Sequence, residues 1–247
     1  MTAHLTLVAA VLFLLLSFQS FDKLSFFQYL KKKILIINSE PRRVDPAPMA
    51  TVCCNWNETA LLVIDMQNDF VLPEMGSPML VAGAKAIVPA VAKVVSLARE
   101  RGIFVIWVVR EHDPSGKDVE LFRRHHYSNG KGPTMKGAKG AELVDGLKIR
   151  DGDYKLVKTR FSAFFNTHLD SVLKGSGIKR LVIVGVQTPN CIRQTVFDAV
   201  ALDYEHITVI VDATAAATPE IHSSNIRDMK NVGVSAPTLQ EWTCSGA

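Results

Sequence analysis

Residues 180–195 read RLVIVGVQTPNCIRQT, and this stretch decides the fold. Arg180 to Val184 is a short apolar run of the kind found in a strand covered on both faces. Gly185 to Thr195 then turns from strand into helix. Thr188 suits an N-cap and Pro189 the first helical position, which predicts a helix over Pro189 to about Leu202. Cys191 falls in the first turn of that helix, where unpaired backbone N–H groups and the helix dipole lower a thiol pKa and can receive an oxyanion. An isolated cysteine is more often a small buried hydrophobe, so the placement at a helix start is what argues for chemistry.

On either side of this elbow short apolar runs alternate with helical periods, the pattern of stacked βαβ units and a mostly parallel sheet. Ala60 to Ile64 reads as a first strand. Ala84 to Arg101 carries Ile87, Val88, Val91, Val94, Val95 and Ala98 at a helical period that stops at Gly102. Ile103 to Val109 is a second strand and Tyr154 to Lys158 a third. Asn166 can cap a helix through about Lys174, ahead of the break at Gly175 to Gly177. Ile207 to Val211 is a fifth strand, Pro219 to about Asn231 a last helix, and Val234 to Ala236 a candidate short strand. Glu111 to Gly152, rich in Gly and Lys, reads as long loops around a short helix, and loops of that size often carry function.

Three reactive side chains fall at or just past the C-terminal ends of these strands, the edge where open α/β sheets bind ligands. Asp65 follows the first strand in LVIDMQNDF (residues 62–70), Lys158 ends the third in KTRFSAF (158–164), and Cys191 follows the fourth. Taken singly, Asp65 reads as a turn or cap residue and Lys158 as a solvated strand end. Taken together, Asp65 is placed as a general base, and Lys158 as a charge that favours both an ionised Asp65 and a thiolate.

The D-x-Q-x-D-F, K-x-R-x-S-A-F and G-V-x-T-x-x-C segments, in that order and spacing, resemble the isochorismatase-like cysteine hydrolases over about Ala60 to Ala236. The resemblance places Asp65, Lys158 and Cys191 at the catalytic positions. It implies a three-layer α/β fold, with a six-stranded mostly parallel sheet between helices, and a non-proline cis peptide between Val186 and Gln187. It also implies an oxyanion hole from the Gln187 and Cys191 backbone N–H groups, and pocket candidates Phe70, Phe161, Phe164 and Gln187. Arg160 or Arg193 is a candidate to meet an anionic substrate. Isochorismatases proper lack the cysteine, so Cys191 points to the amidase branch. The expected partner is then a small-molecule amide or carbamoyl compound, and the expected assembly a homo-oligomer.

Nicotinamidases resemble one another in an Asp-x-His and later His cluster that binds a metal after the second strand. This chain reads Arg110-Glu111-His112-Asp113-Pro114 there, with Lys117 and Asp118 where a second His would fall. His125 and His126 could substitute, although adjacent histidines in a basic run are more often solvated. The expectation is no metal, no cofactor, and a natural substrate other than nicotinamide.

With 247 residues, 48% of them hydrophobic and 21% charged, the chain can bury one substantial core. The formal charge of +4 is concentrated in residues 1–48, which hold six Lys or Arg against three acids, so the rest is near neutral. No basic stripe marks a nucleic-acid binder. Cys53, Cys54, Cys191 and Cys244 have neither disulfide-framework nor zinc-site spacing, which suits free thiols in a reducing compartment.

Residues 1–48 are either an over-extended gene model or a targeting segment, ahead of a hydrolase domain over 49–247. The apolar run Thr6 to Phe18 is short for a membrane span and has no preceding Lys or Arg. A start at Met49 predicts a cytoplasmic protein, whereas the extension leaves organellar or secretory targeting open. Two other readings compete with the enzyme. One is a catalytically silent binding or interaction module that keeps the fold. The other, a dinucleotide-binding or flavodoxin-like module, lacks a G-x-G-x-x-G after the first strand.

Overall fold

The computed structural model describes residues 55–244. The segment 1–48, Met49, Cys53 and Cys54 lie outside the described residues. Five strands form one parallel sheet: β1 (Thr59–Ile64), β2 (Phe104–Arg110), β3 (Tyr154–Lys158), β4 (Arg180–Val186) and β5 (His206–Ala215). Their order across the sheet is β3-β2-β1-β4-β5. The chain steps outward from β1 to β3, then returns to the other side of β1, so the direction of winding reverses between β1 and β4. A crevice forms at such a reversal, beyond the C-terminal strand ends.

Helices cover both faces because the strand side chains alternate between two apolar clusters. Leu61 and Val63 of β1, Val105 and Trp107 of β2, and Val182 and Val184 of β4 face one cluster. It is closed by α2 (Ala84–Glu100), which follows the single turn α1 (Asn68–Val71), and by Trp242 of α6 (Leu239–Cys244). Helix α2 buries Ile87, Val91, Val94, Val95 and Ala98, and the larger of these contribute about 1.5–3 kcal/mol each on burial. Ala60, Leu62, Ile64, Ile106 and Ile183 face the other cluster. That side is closed by α3 (Leu169–Gly175), α4 (Arg193–Ala201) and α5 (Pro219–Asn231), and Cys191 belongs to it. The result is the expected three-layer α/β fold.

Among the described residues the sheet has five strands rather than the expected six. Val234 to Ala236 runs beside β5 but makes a single bridge, Thr208 to Ser235. Ser235 exchanges two backbone hydrogen bonds with Ile207 and Val209, and the Val211 N–H reaches the Pro237 carbonyl. Pro237 has no N–H to return, and Gly233 precedes the segment, so the ladder stops. Two helix starts also differ from expectation. Asn166 sits at φ 54° and caps nothing; the Leu169 N–H donates to Thr167 Oγ1 instead, at 3.2 Å. The helix expected from Pro189 opens as a π-helical turn, Thr188–Ile192, before α4 begins at Arg193.

Gly185 is required where β4 passes β1. Its φ is +109°, and a Cβ there would overlap the Ile64 carbonyl oxygen. Only glycine combines that dihedral with so close an approach. Among the described residues no helix is long and apolar enough to cross a membrane.

Candidate active site

Parallel pairing brings the C-terminal strand ends level. Ile64 pairs with Val108 and with Gly185, and Arg110 pairs with Lys158. Asp65, one residue past β1, turns the chain at φ 53°, a left-handed conformation that Asp tolerates better than most residues. Its backbone N–H is held by the Val108 carbonyl at 2.9 Å. Lys158 reaches across the end of β2, and its Nζ lies 2.8 Å from Asp65 Oδ2, with both side chains fully buried. The Arg160 carbonyl accepts a second bond from Nζ at 3.2 Å.

Asp65 Oδ1 is buried and has no hydrogen-bond partner among the described residues. Cys191 supplies the third group, buried on the π-turn beyond β4. Burial and the facing Asp65 carboxylate push the thiol pKa up, while Lys158 and Arg110 pull it down by less. Burial is the first cause of this rise, which runs opposite to the depressed thiol expected at a helix start. Asp65 Oδ1 is an acceptor available to the thiol proton. The Val186–Gln187 peptide bond is cis, and the Gln187 carbonyl accepts from the Asn190 and Ile192 N–H groups. Thr188, expected as an N-cap, instead pairs its Oγ1 with His222 Nδ1 at 2.8 Å.

The pocket candidates separate. Phe161 lies beside the site, with the Arg110 guanidinium 5.6 Å and that of Arg123 4.9 Å from its ring centre. Phe164 is half-buried against Tyr204. Phe70 packs into the apolar cluster on the sheet face opposite Cys191, so it belongs to the core. Of the two arginines named as anion contacts, Arg193 already has a carboxylate partner. Arg160 donates to the Asp118 and Thr159 carbonyls, and Arg193 pairs with Asp228 at 2.6 Å over the Phe197 ring. Two surface clefts, of about 320 and 390 Å³, are lined by residues around Tyr204 and Arg193 and hold none of the three reactive side chains.

Residues 59–241 match the Isochorismatase domain family. The chain belongs to the isochorismatase family. An Arabidopsis thaliana protein named a probable inactive nicotinamidase is 70% identical over 190 residues, 76% of this chain and 96% of that protein. A ureidoacrylate amidohydrolase of Azorhizobium caulinodans is 37% identical over 201 residues, 73% of this chain and 84% of its own. Among solved structures, an isochorismatase family protein of Desulfovibrio vulgaris is 45% identical with a TM-score of 0.73. That alignment covers 75% of this chain and 96% of the other.

This isochorismatase-family site contains a second charged cluster that the sequence reading missed. Arg110, the last residue of β2, is fully buried and donates to both Glu120 carboxylate oxygens, at 2.7 and 3.0 Å. Burial works against the Arg110 charge, but the Cys191 sulfur, Glu120 and Asp65 outweigh it and raise its pKa. Glu120 is held down to about 2: burial would raise it, and the Arg110 hydrogen bonds and charge prevail. The available signal was position, since Arg110 ends a strand on the same edge as Asp65 and Lys158.

The same arginine decides how His112 is used. Arg110 Nη1 lies 3.2 Å from His112 Nε2, and a guanidinium can only donate, so Nε2 accepts. The proton is then on Nδ1, 3.3 Å from Asp118 Oδ1. Burial and the Arg110 charge lower the His112 pKa and keep the ring neutral. The residues present do not fit a nicotinamidase-type metal, because the lone pair a metal would need is engaged by Arg110. His125 and His126 stack on each other at 3.9 Å.

Proposed function

We propose that the protein is a cysteine-dependent hydrolase of a C–N bond in a small amide or carbamoyl compound, acting through a thioester. The observation that carries this reading is the buried Asp65–Lys158 pair at 2.8 Å, with a free Asp65 oxygen, meeting a buried Cys191 from a third strand end.

Asp65 Oδ1 takes the Cys191 proton as the sulfur attacks the substrate carbonyl carbon. The raised thiol pKa makes this transfer part of the attack rather than a resting thiolate. Lys158 balances the Asp65 charge before transfer and the sulfur charge during it. The carbonyl oxygen becomes an oxyanion beside the Gln187 and Cys191 backbone N–H groups, each donor contributing about 3 kcal/mol in comparable acyl transfers. Asp65 returns the proton to the departing nitrogen, the C–N bond breaks, and ammonia or an amine leaves a thioester on Cys191. Water then attacks the thioester carbon and yields a proton to Asp65. The C–S bond breaks, the acid is released, and the sulfur recovers that proton.

A catalytically silent role is the second reading, favoured by the name of the 70% identical relative and by the raised thiol pKa. Inactivity on nicotinamide and hydrolysis of a different amide are compatible, because Arg110 occupies the place where nicotinamidases keep a metal ligand. A panel of primary amides and carbamoyl acids assayed for ammonia release separates the readings. Turnover that disappears in Cys191→Ala supports the hydrolase; turnover that survives the substitution overturns the role of Cys191, and none across the panel favours the silent reading.

A further inference from the structure

The Arg110 cluster is unbalanced. Two guanidiniums share one carboxylate: Glu120 binds Arg110 in a two-pronged bond, while its Oε1 stays 3.6 Å from Arg123 Nη1. Arg123 is only 7% exposed, and its Nη1 has no hydrogen-bond partner among the described residues; the Arg110 Nε is unpartnered as well. The neighbouring charges do not close the account. Asp65 is matched by Lys158, and His112 is neutral. Asp118, about a third exposed, accepts from the Asp113 N–H and faces His112. Among the described residues Arg123 therefore has no carboxylate of its own within hydrogen-bond distance, and a buried guanidinium N–H left unpaired is expensive unless an acceptor arrives.

Arg123 is also held in place. Its guanidinium lies 5.0 Å from the Phe122 ring and 4.9 Å from the Phe161 ring, and the other side of the site brings Arg110 against the same Phe161. Arg110, over the same Phe161 ring, is level with Lys158 at the strand ends, which places Arg123 on the reacting edge of the sheet. A planar guanidinium with an unpartnered Nη1, resting against two neighbouring aromatic rings, suits a planar carboxylate.

We propose that Arg123, backed by Arg110, is a carboxylate-binding subsite next to Cys191, so that the substrate is an amide or carbamoyl compound carrying a carboxylate. The reacting bond rests on the hydrolase reading above, whereas the subsite rests on the arginine cluster and can be tested without turnover.

The first test compares alkylation of Cys191 by iodoacetate, which carries a carboxylate, and by iodoacetamide, its neutral analogue, with the modified cysteine read by peptide mass spectrometry. Exposed Cys244 in the same molecule is the internal reference. The expected iodoacetate-to-iodoacetamide rate ratio is about tenfold higher at Cys191 than at Cys244, and Arg123→Gln removes most of that preference. A ratio at Cys191 no higher than at Cys244, or one that Arg123→Gln leaves unchanged, overturns the subsite. Where Arg123→Gln does not fold, Arg123→Met, which keeps an apolar stem against Phe161, is read in the same way. The second test compares kcat/KM for succinamate and butanamide. A preference of about tenfold for succinamate that Arg123→Gln abolishes through KM supports the proposal. Equal turnover of the two amides overturns the subsite and leaves the hydrolase standing. Absent turnover with the alkylation preference intact removes the hydrolase and leaves the subsite.

Discussion

Arg110 Nη2 lies 2.7 Å from Glu120 Oε1, with the arginine side chain fully buried and that of the glutamate 9% exposed. Replacing Glu120 with Gln leaves that guanidinium without its charge partner, and a broken buried pair is destabilising by about 3–5 kcal/mol. Urea unfolding of Glu120→Gln against wild type measures the difference. A change under about 1 kcal/mol would show that Arg110 finds other compensation.

The same pair makes stability sensitive to acid. The Glu120 carboxyl is depressed from 4.5 to about 2 in the folded protein, so its contribution is fully present above pH 4.5. It is lost as pH falls from there towards about 2, removing on the order of 3 kcal/mol. Thermal unfolding followed from pH 6 to pH 3 should show a decline that is shallower in Glu120→Gln, which has no carboxyl to protonate.

Lys158 and Asp65 should behave as one unit. Lys158→Met alone strands a buried carboxylate and costs about 3–5 kcal/mol, while Lys158→Met with Asp65→Asn recovers much of that stability. Activity should fall at least about 100-fold in both variants, because each lacks part of the proton-transfer apparatus. A double variant that regained activity along with stability would contradict the assigned roles.

Removing the Asp65 charge should separate thiol reactivity from turnover. The carboxylate is one of the two causes that hold the Cys191 pKa up, and Lys158 and Arg110 would then act on the sulfur against burial alone. In Asp65→Asn the pH profile of Cys191 alkylation should shift towards acid while hydrolysis is lost. An unshifted profile would mean that desolvation alone sets the thiol.

Gly185→Ala tests the close contact on which the strand ends depend. The added methyl would overlap the Ile64 carbonyl at φ +109°, so a loss of more than about 3 kcal/mol is expected in thermal or urea unfolding. A variant of near wild-type stability would show that β4 can move away from β1.

Much of the layout was legible because apolar runs and breaker residues are local. Tyr154 to Lys158 and Pro219 to Asn231 form the expected strand and helix over the same residues, each bounded by strong local signals. Strand β5 extends to Ala215, past the expected end at Val211, because pairing with β4 carries it through Asp212 where the apolar pattern breaks. The π-turn at Cys191 was hidden for a similar reason: Thr188 and Pro189 have the chemistry of a helix start, but Thr188 spends its hydroxyl on His222. Phe70 sits in a motif beside Asp65 yet faces the opposite layer, a matter of side-chain direction that spacing alone leaves open.

The order of residues along the chain was enough to determine the layered α/β architecture and to deliver Asp65, Lys158 and Cys191 to one edge of a sheet, since hydrophobic period and strand polarity are short-range properties. Tertiary structure alone decided the electrostatics there. Burial sets whether a thiol rests neutral, and whether Arg110 and Arg123 share a carboxylate depends on a long loop folding back onto β2. Desolvation and charge pairing act between groups brought together in space, and no sequence interval encodes that distance.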